Sequence, residues 1–232
     1  MELSIIVPAY NEEKRIENTL KNYSNFFDSK KIKYELIVVC NGCIDNTVKI
    51  VKKFINKNKN IKLLEYKSKI GKGGAVLEGF KKALGKNIGF LDADDAFNLE
   101  DIYEKLIKNL KKYDCVIASK WKNQEFSNVN EGILRKFLSR GWNLLVKILF
   151  GLNFKDTQGG AKFLTKKALE SIDLNFQCKG FEFDVELLVK LNRKKNKIKE
   201  FYIPSKAVKG SKFSIKYIPP MFFNLLRLWL RQ

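Results

Sequence analysis

Asp92 and Asp94 stand two residues apart at the end of the apolar run Phe90-Leu91, with Asp95 beside them. On an extended strand, side chains two residues apart point the same way. The two carboxylates could therefore converge on one point at the strand's C-terminal edge. Carboxylates that close repel each other unless a cation lies between them. A hard divalent ion with oxygen ligands, Mg²⁺ or Mn²⁺, meets that need and leaves positions for phosphate oxygens. The competing reading is that the acids cap a helix beginning near Leu99, and Asp95 suits such a turn; capping gives no reason for Asp92 to end a buried strand. A second cluster is Gly71-Lys72-Gly73-Gly74, between a strand and a helix. Glycines there allow backbone to approach a ligand, and a helix N-terminus favours anions; an ordinary glycine-rich helix start has the same composition. The spacing is neither that of a Walker A loop nor that of a Gly-x-Gly-x-x-Gly fingerprint. The third segment is Pro8-Ala9-Tyr10-Asn11-Glu12, where Tyr10 could stack on a base and Glu12 could accept from a ribose or base.

The composition narrows the chemistry. The chain has 232 residues and no His, which excludes Ser-His-Asp catalysis, His-ligated zinc and imidazole general bases. With 45 Lys and Arg against 25 Asp and Glu, its formal charge is +20, so an anionic substrate or surface is expected. Cys40 and Cys43 form a C-x-x-C without a second pair to complete a tetrahedral zinc site; reduced cytosolic thiols near a strand end are the expectation. No signal peptide is expected, and no uncharged apolar run reaches the ~18 residues of a transmembrane helix.

These residues need a frame to hold them. Apolar runs at 3–7, 34–39, 61–66, 87–91 and 114–118 alternate with helical patterns at 11–27, 45–56, 73–84 and 99–110. Near-continuous apolar strands alternating with helices predict an α/β fold: a mostly parallel sheet covered on both faces, with ligands at the C-terminal edge of the strands. Further on, 131–152 reads as a long helix, 163–164 and 198–203 as strands, and 183–191 as a helix. On a helical wheel of 131–152, Arg135, Lys136, Arg140, Asn143 and Lys147 share one face; Ile133, Phe137, Leu144, Leu145, Ile148 and Leu152 share the other. The tail, 217–231, is rich in Phe, Leu and Trp.

Taken in order, these segments resemble the family 2 glycosyltransferases. The likeness rests on Ile5-Ile-Val-Pro-Ala-Tyr-Asn-Glu12, Val38-Val-Cys-Asn-Gly-Cys-Ile-Asp45, Gly71-Lys-Gly-Gly-Ala-Val76 and Phe90-Leu-Asp-Ala-Asp94. Asp156-Thr-Gln-Gly-Gly-Ala-Lys-Phe-Leu-Thr165, Phe181-Glu-Phe-Asp-Val-Glu-Leu-Leu188 and Gly210-Ser-Lys212 narrow it to the polyprenyl-phosphate sugar synthases, dolichyl-phosphate glucosyltransferases and mannose synthases among them. The resemblance implies a GT-A fold, a nucleotide-sugar donor, a polyprenyl or dolichyl phosphate acceptor and inversion at the sugar. It implies one GT-A domain over 1–212, with a nucleotide-sugar half (1–120) and an acceptor half (121–212), followed by an amphipathic tail (213–232).

Residue roles follow from the same resemblance. Pro8, Tyr10, Glu12, Asn41, Lys72 and Asp92 match donor-binding positions. Asn41 stands where an Asp is usual, so the base contact loses its charge. Asp92 and Asp94 match the Asp-x-Asp that carries Mg²⁺ or Mn²⁺, and Ala96 stands where mannose synthases add a Gln ligand. Arg135, Ser139 and Arg140 match the Arg-x-x-x-Ser-Arg element near the acceptor phosphate; Lys120, where a Ser-Arg is usual, and Lys212, which ends the Gly-Ser-Lys, are assigned to the same phosphate. Asp94, Arg135 and Asp184 are the expected catalytic set. Asp184 either orients a sugar hydroxyl, acts as a base or merely charges a helix N-terminus. A lipid phosphate monoester already carries most of two charges near neutral pH, so it needs cations to hold and aim it rather than a base. Transfer to a hydroxyl of a glycolipid or polysaccharide is the alternative in the same class. A nucleic-acid binder is a remote one, since the basic residues are scattered Lys and no nucleic-acid module is recognisable. The segment 131–152 is expected to lie on an anionic membrane face, placing the protein peripherally on its cytoplasmic side, while the tail could equally lie there, pack on the domain or form a dimer contact.

Overall fold

The computed structural model describes residues 1–129, 131–206 and 214–231. Seven strands form one sheet in the order β3-β2-β1-β4-β6-β5-β7. They are β1 (Leu3–Ala9), β2 (Tyr34–Asn41), β3 (Ile61–Tyr66), β4 (Asn87–Leu91), β5 (Cys115–Ser119), β6 (Ala161–Thr165) and β7 (Ile198–Tyr202). All neighbouring pairs are parallel except those of β6, which runs antiparallel to β4 and β5. β1 shows why the sheet is covered on both sides. Leu3, Ile5, Val7 and Ala9 pack on one face with Ile16, Leu20, Tyr23 and Phe27 of helix α1 (Ile16–Ser29), while Ile6 packs on the other with Val76 and Phe80 of helix α3 (Lys72–Lys82). Helix α2 (Thr47–Ile55) joins the first face through Val51.

The chain runs β1, β2, β3 outward on one side and then places β4 on the other side of β1. A crevice opens at such a reversal, beyond the C-terminal ends of the strands. Tyr10 and Glu12 follow β1, Asn41 ends β2, Asp92 and Asp94 follow β4, and Lys120 follows β5. The sheet thus delivers all of them to one edge.

Some elements depart from the sequence expectation. α1 begins at Ile16 rather than Asn11, because Asn11 takes a left-handed φ of 53° and the Glu12 carbonyl starts the first turn by accepting from the Arg15 and Ile16 amides. The helical stretch expected at 99–110 exists, but only α4 (Leu99–Asp101) is α-helical; it continues as a π turn (Ile102–Leu106) and a 3₁₀ turn (Ile107–Lys111). Helix α5 (Ile133–Phe150) has two unlike faces, as expected, but its polar side is partly the buried one. Lys136 is buried because its ammonium donates to the Phe126 carbonyl at 2.7 Å. Asn143 is buried because its Oδ1 accepts from both the Thr157 amide and the Thr157 hydroxyl, each at 2.9 Å. The apolar residues Ile133, Leu134, Phe137, Leu144 and Ile148 are left exposed, Ile148 by 71%.

α6 (Lys166–Glu170) and α7 (Phe183–Arg193) cover the second face, together with the C-terminal helix α8 (Ile218–Leu230). α8 buries Met221, Leu225 and Leu228 and keeps Phe223, Trp229 and Leu230 exposed. Among the described residues, no helix is long and apolar enough to cross a membrane.

Candidate active site

The strand edge opens into a cavity of about 1060 Å³. Pro8, Tyr10, Glu12, Asn41, Lys72, Asp92, Asp94, Lys120, Arg135, Ser139 and Asp184 all line it, so the structure brings together nearly every residue singled out in the sequence. Among the described residues one is not part of that wall. Arg140 does not line the cavity; its guanidinium lies over the Trp121 ring, 5.4 Å from the centroid. Lys212, with the rest of Gly210-Ser-Lys212, lies outside the described residues.

The acidic pair sits at the mouth of β4. The Asp92 amide donates to the Gly160 carbonyl, which ties the loop to the start of β6. Tyr23 donates to the Asp92 carbonyl at 2.9 Å and Thr19 to the Ala93 carbonyl at 2.9 Å, so α1 fixes the backbone of the motif from below. Asp95 takes φ 55° and accepts from Asn22, which assigns it to the turn. Burial pushes the Asp94 carboxyl above the usual carboxylate range, and the neighbouring Asp92 charge adds to the push. Neither acid caps a helix: Asn98 does so instead, accepting from the Glu100 and Asp101 amides. Two carboxylates on one open cavity, one of them strained by the other's charge, fit a divalent cation that takes its remaining ligands from water and phosphate.

Lys72 pairs with Asp92, its Nζ 2.6 Å from Oδ1. Burial works against its charge, but Asp92 and Asp184 outweigh that, and its pKa lies above the ordinary lysine value. The glycines around Lys72 serve a different purpose from the one their composition suggested. The Gly73 amide donates to the Gly180 carbonyl and the Gly74 amide to the Lys179 carbonyl. Those two donors are spent within the protein instead of cradling an anion. Gly71 adopts φ 83°, and a Cβ there would meet the Lys179 carbonyl oxygen at 2.1 Å.

On the nucleotide side, Asn41 Oδ1 accepts from the Ile70 amide at 2.6 Å, so its amide NH₂ is the part left to face a ligand. Lys69, unremarked in the sequence, places its ammonium 4.2 Å from the Tyr10 ring centroid. On the opposite side, Lys120 Nζ and Arg135 Nε approach Glu131 Oε1 at 2.9 and 3.5 Å. Ser139 Oγ accepts from Trp121 Nε1 at 3.0 Å. Phe137, Leu138, Trp142 and Leu145 of α5 and Ile218, Met221 and Phe222 of α8 make the rest of that wall apolar. Asp184 lies in the first turn of α7, only 2% exposed, and its Oδ1 pairs with Lys162 Nζ at 2.6 Å. Burial raises the Asp184 carboxyl, while Lys162 and Lys72 pull it back.

A model described as glycosyl transferase family 2 matches residues 4–173. The chain belongs to that family. Among its relatives, a dolichyl-phosphate beta-glucosyltransferase of Trichomonas vaginalis is 33% identical, over 97% of this chain and 72% of the relative. One from Dictyostelium discoideum is 34% identical, over 90% of this chain and 68% of the relative. A crystal structure of glucosyl-3-phosphoglycerate synthase from Mycobacterium tuberculosis, in complex with Mn²⁺, UDP and phosphoglyceric acid, has a TM-score of 0.72 at 17% identity. It covers 98% of this chain and 78% of the other. That likeness confirms the GT-A architecture for this member of the family.

Proposed function

We propose that this glycosyltransferase moves a glucosyl residue from a nucleotide diphosphate sugar to dolichyl phosphate, with inversion, giving a β-linked lipid phosphate sugar. The names of its relatives support the acceptor and the sugar. The observation that carries the reading is the single cavity in which three surfaces meet: the Asp92–Asp94 pair, the Lys120–Arg135 cations, and an apolar wall from α5 and α8. These suit, in turn, a diphosphate, a phosphate monoester and an isoprenoid chain.

In this reading Asp92 and Asp94 hold Mg²⁺ or Mn²⁺. When bound, the cation neutralises charge on the departing nucleoside diphosphate. Lys72, beside Asp92, adds a fixed positive charge on the same side. Tyr10 and Asn41 receive the base. Lys120 and Arg135 take the acceptor phosphate in place of the Glu131 carboxylate, with Ser139 beside them; Arg140 and Lys212 belong to the same proposed element. The phosphate needs no base, so the cations' task is to desolvate and aim one oxygen at the anomeric carbon. Attack opposite the leaving group converts an α-linked donor to a β-linked product.

The direct test is transfer of labelled glucose from UDP-glucose or GDP-glucose to dolichyl phosphate and to dolichol, with and without Mn²⁺. Label should reach the phosphate and not the alcohol; equal transfer to dolichol would overturn the acceptor assignment. Arg135→Ala should raise the KM for dolichyl phosphate roughly ten- to hundredfold, on the scale of lost charge-assisted contacts, with the donor KM nearly unchanged.

The exposed apolar side of α5 supports peripheral attachment to the cytoplasmic membrane face. Its apolar residues point outward and share the helix with Arg135, Arg140 and Lys147, an arrangement suited to an anionic interface. Ile148→Glu should cut flotation with anionic vesicles by about tenfold or more, since burying one Ile is worth roughly 1.5–3 kcal/mol. Flotation that ignores both lipid charge and this substitution would remove the membrane reading.

A further inference from the structure

Lys162 is the one charged residue in the three adjacent strands β4, β6 and β5. It pairs in register with Phe90 on one side and Ile117 on the other. Ala161 and Phe163 pack on the first face of the sheet and Leu164 on the second, so strand alternation sends Lys162 to the side of α3 and α7. Its side chain is 0% exposed. The ammonium lies 5.4 Å from the Phe90 ring centroid, donates to the Gly159 carbonyl at 2.8 Å, and sits 2.6 Å from Asp184 Oδ1. An apolar side chain of the same length would fill this position without the desolvation cost of a charge, and buried ion pairs are poor stabilisers compared with such a replacement. The pair therefore calls for a use other than stability.

We propose that Lys162 is a positioning residue for sugar transfer: from the middle of β6 it clamps one oxygen of Asp184, so that the carboxylate is presented to the donor sugar as a fixed hydrogen-bond acceptor. The inference rests on the reading that Asp184 faces that sugar. Asp184 lines the cavity beside Lys72 and Asp92, whereas Lys162 lies behind it and does not line the cavity. With Oδ1 in close ion-pair contact with Lys162, though outside hydrogen-bond geometry, the carboxylate's rotation is restricted, and a charge-assisted bond from a sugar hydroxyl to it needs little reorganisation. Lys72 on α3 and Asp92 beyond β4 are the other charges acting on Asp184; they face the diphosphate side, which leaves Lys162 as the support from within the sheet.

The test compares Lys162→Met, Asp184→Asn and the double variant, using UDP binding by calorimetry and transfer from UDP-glucose to dolichyl phosphate. Lys162→Met should lower kcat by roughly tenfold or more while the Kd for UDP, which has no sugar, stays within about twofold. The double variant should turn over no more slowly than Asp184→Asn alone, because a residue acting through another adds nothing once that other is gone. A double variant slower than Asp184→Asn, or UDP affinity falling in step with kcat, would overturn the proposal. Wild-type kcat in Asp184→Asn would instead remove the underlying placement of Asp184. If Lys162→Met fails to fold because Asp184 is left as an unpaired buried charge, the double variant carries neither charge, and its comparison with Asp184→Asn decides: equal kcat supports the clamp and lower kcat sinks it.

Discussion

Asp94→Asn should lower turnover by on the order of a hundred- to a thousandfold, the range seen when one preorganised electrostatic contact to a developing charge is removed. It should do so without cost to the fold. Burial and the Asp92 charge hold the Asp94 carboxyl above the usual carboxylate range, so the folded state disfavours the ionised form. For a carboxyl with a raised folded-state pKa, the sign is opposite to that of a salt-bridged acid. Ionisation destabilises the native state above the unfolded pKa, and the penalty is absent at low pH. The amide relieves that repulsion and keeps an oxygen to accept from the Ala96 amide, which Asp94 Oδ1 now does at 3.3 Å. Melting at pH 7 should therefore stay the same or rise, while activity collapses. The discriminating measurement is UDP binding with and without Mn²⁺. Wild type should gain affinity from the metal and the variant should not; the same gain in both would take Asp94 out of the metal site. Loss of function with gain of stability would mark the acid pair as a place where the fold tolerates repulsion for the sake of a ligand.

What the sequence made legible, and what it hid, divides along physical lines. β1, β2, β4 and β5 are near-continuous apolar runs because a parallel sheet buries both faces, and such runs stand out without any partner information. Asp92 and Asp94 stand out for the same reason: charge directly after a buried strand has no structural excuse. β6 is harder. It is five residues long, it enters antiparallel between two strands far away in sequence, and Lys162 breaks its apolar character. That lysine was a signal, a charge within an otherwise apolar stretch, but its partner Asp184 is visible only once α7 is packed on the sheet. The wheel of α5 separated two faces correctly without saying which turns inward. That is decided by the Phe126 carbonyl and Thr157, whose positions no helical periodicity records. The glycines at 71–74 announced close approach, and close approach is what the structure has, but the approaching group is the protein's own backbone at 179–180.

Those glycines make the second large effect predictable. Gly73→Ala should destabilise the protein and impair both sides of the site together. A Cβ at Gly73 would lie 2.3 Å from Phe183 Cβ and 2.7 Å from its Cγ. Phe183 has no room to yield: it is 1% exposed and packs against Phe80, Phe90 and Phe176, at centroid distances of 6.5, 6.2 and 5.3 Å. The methyl must instead push the N-terminus of α3 away from that of α7. Lys72 immediately precedes the first of these contacts and Asp184 immediately follows the second, so the separation moves Lys72 relative to Asp92 and Asp184 relative to the cavity. Overpacking of this kind costs about 1–3 kcal/mol, and a misplacement of about 1 Å at a reacting site costs on the order of a hundredfold in rate. Melting should fall by roughly 2–4 °C per kcal/mol lost for a chain of this size, and kcat should fall further than the folded fraction explains. Gly141→Ala supplies the control. Gly141 sits within α5, and a Cβ there meets nothing within 4 Å, so the same substitution removes backbone entropy from the unfolded chain without a clash. It should raise stability by about 0.5–1 kcal/mol. Opposite signs for one chemical change at two helical glycines would show that α3 and α7 are held together by the absence of a side chain; the same sign at both would mean that the contact yields and that the lysine and the aspartate are placed by something else.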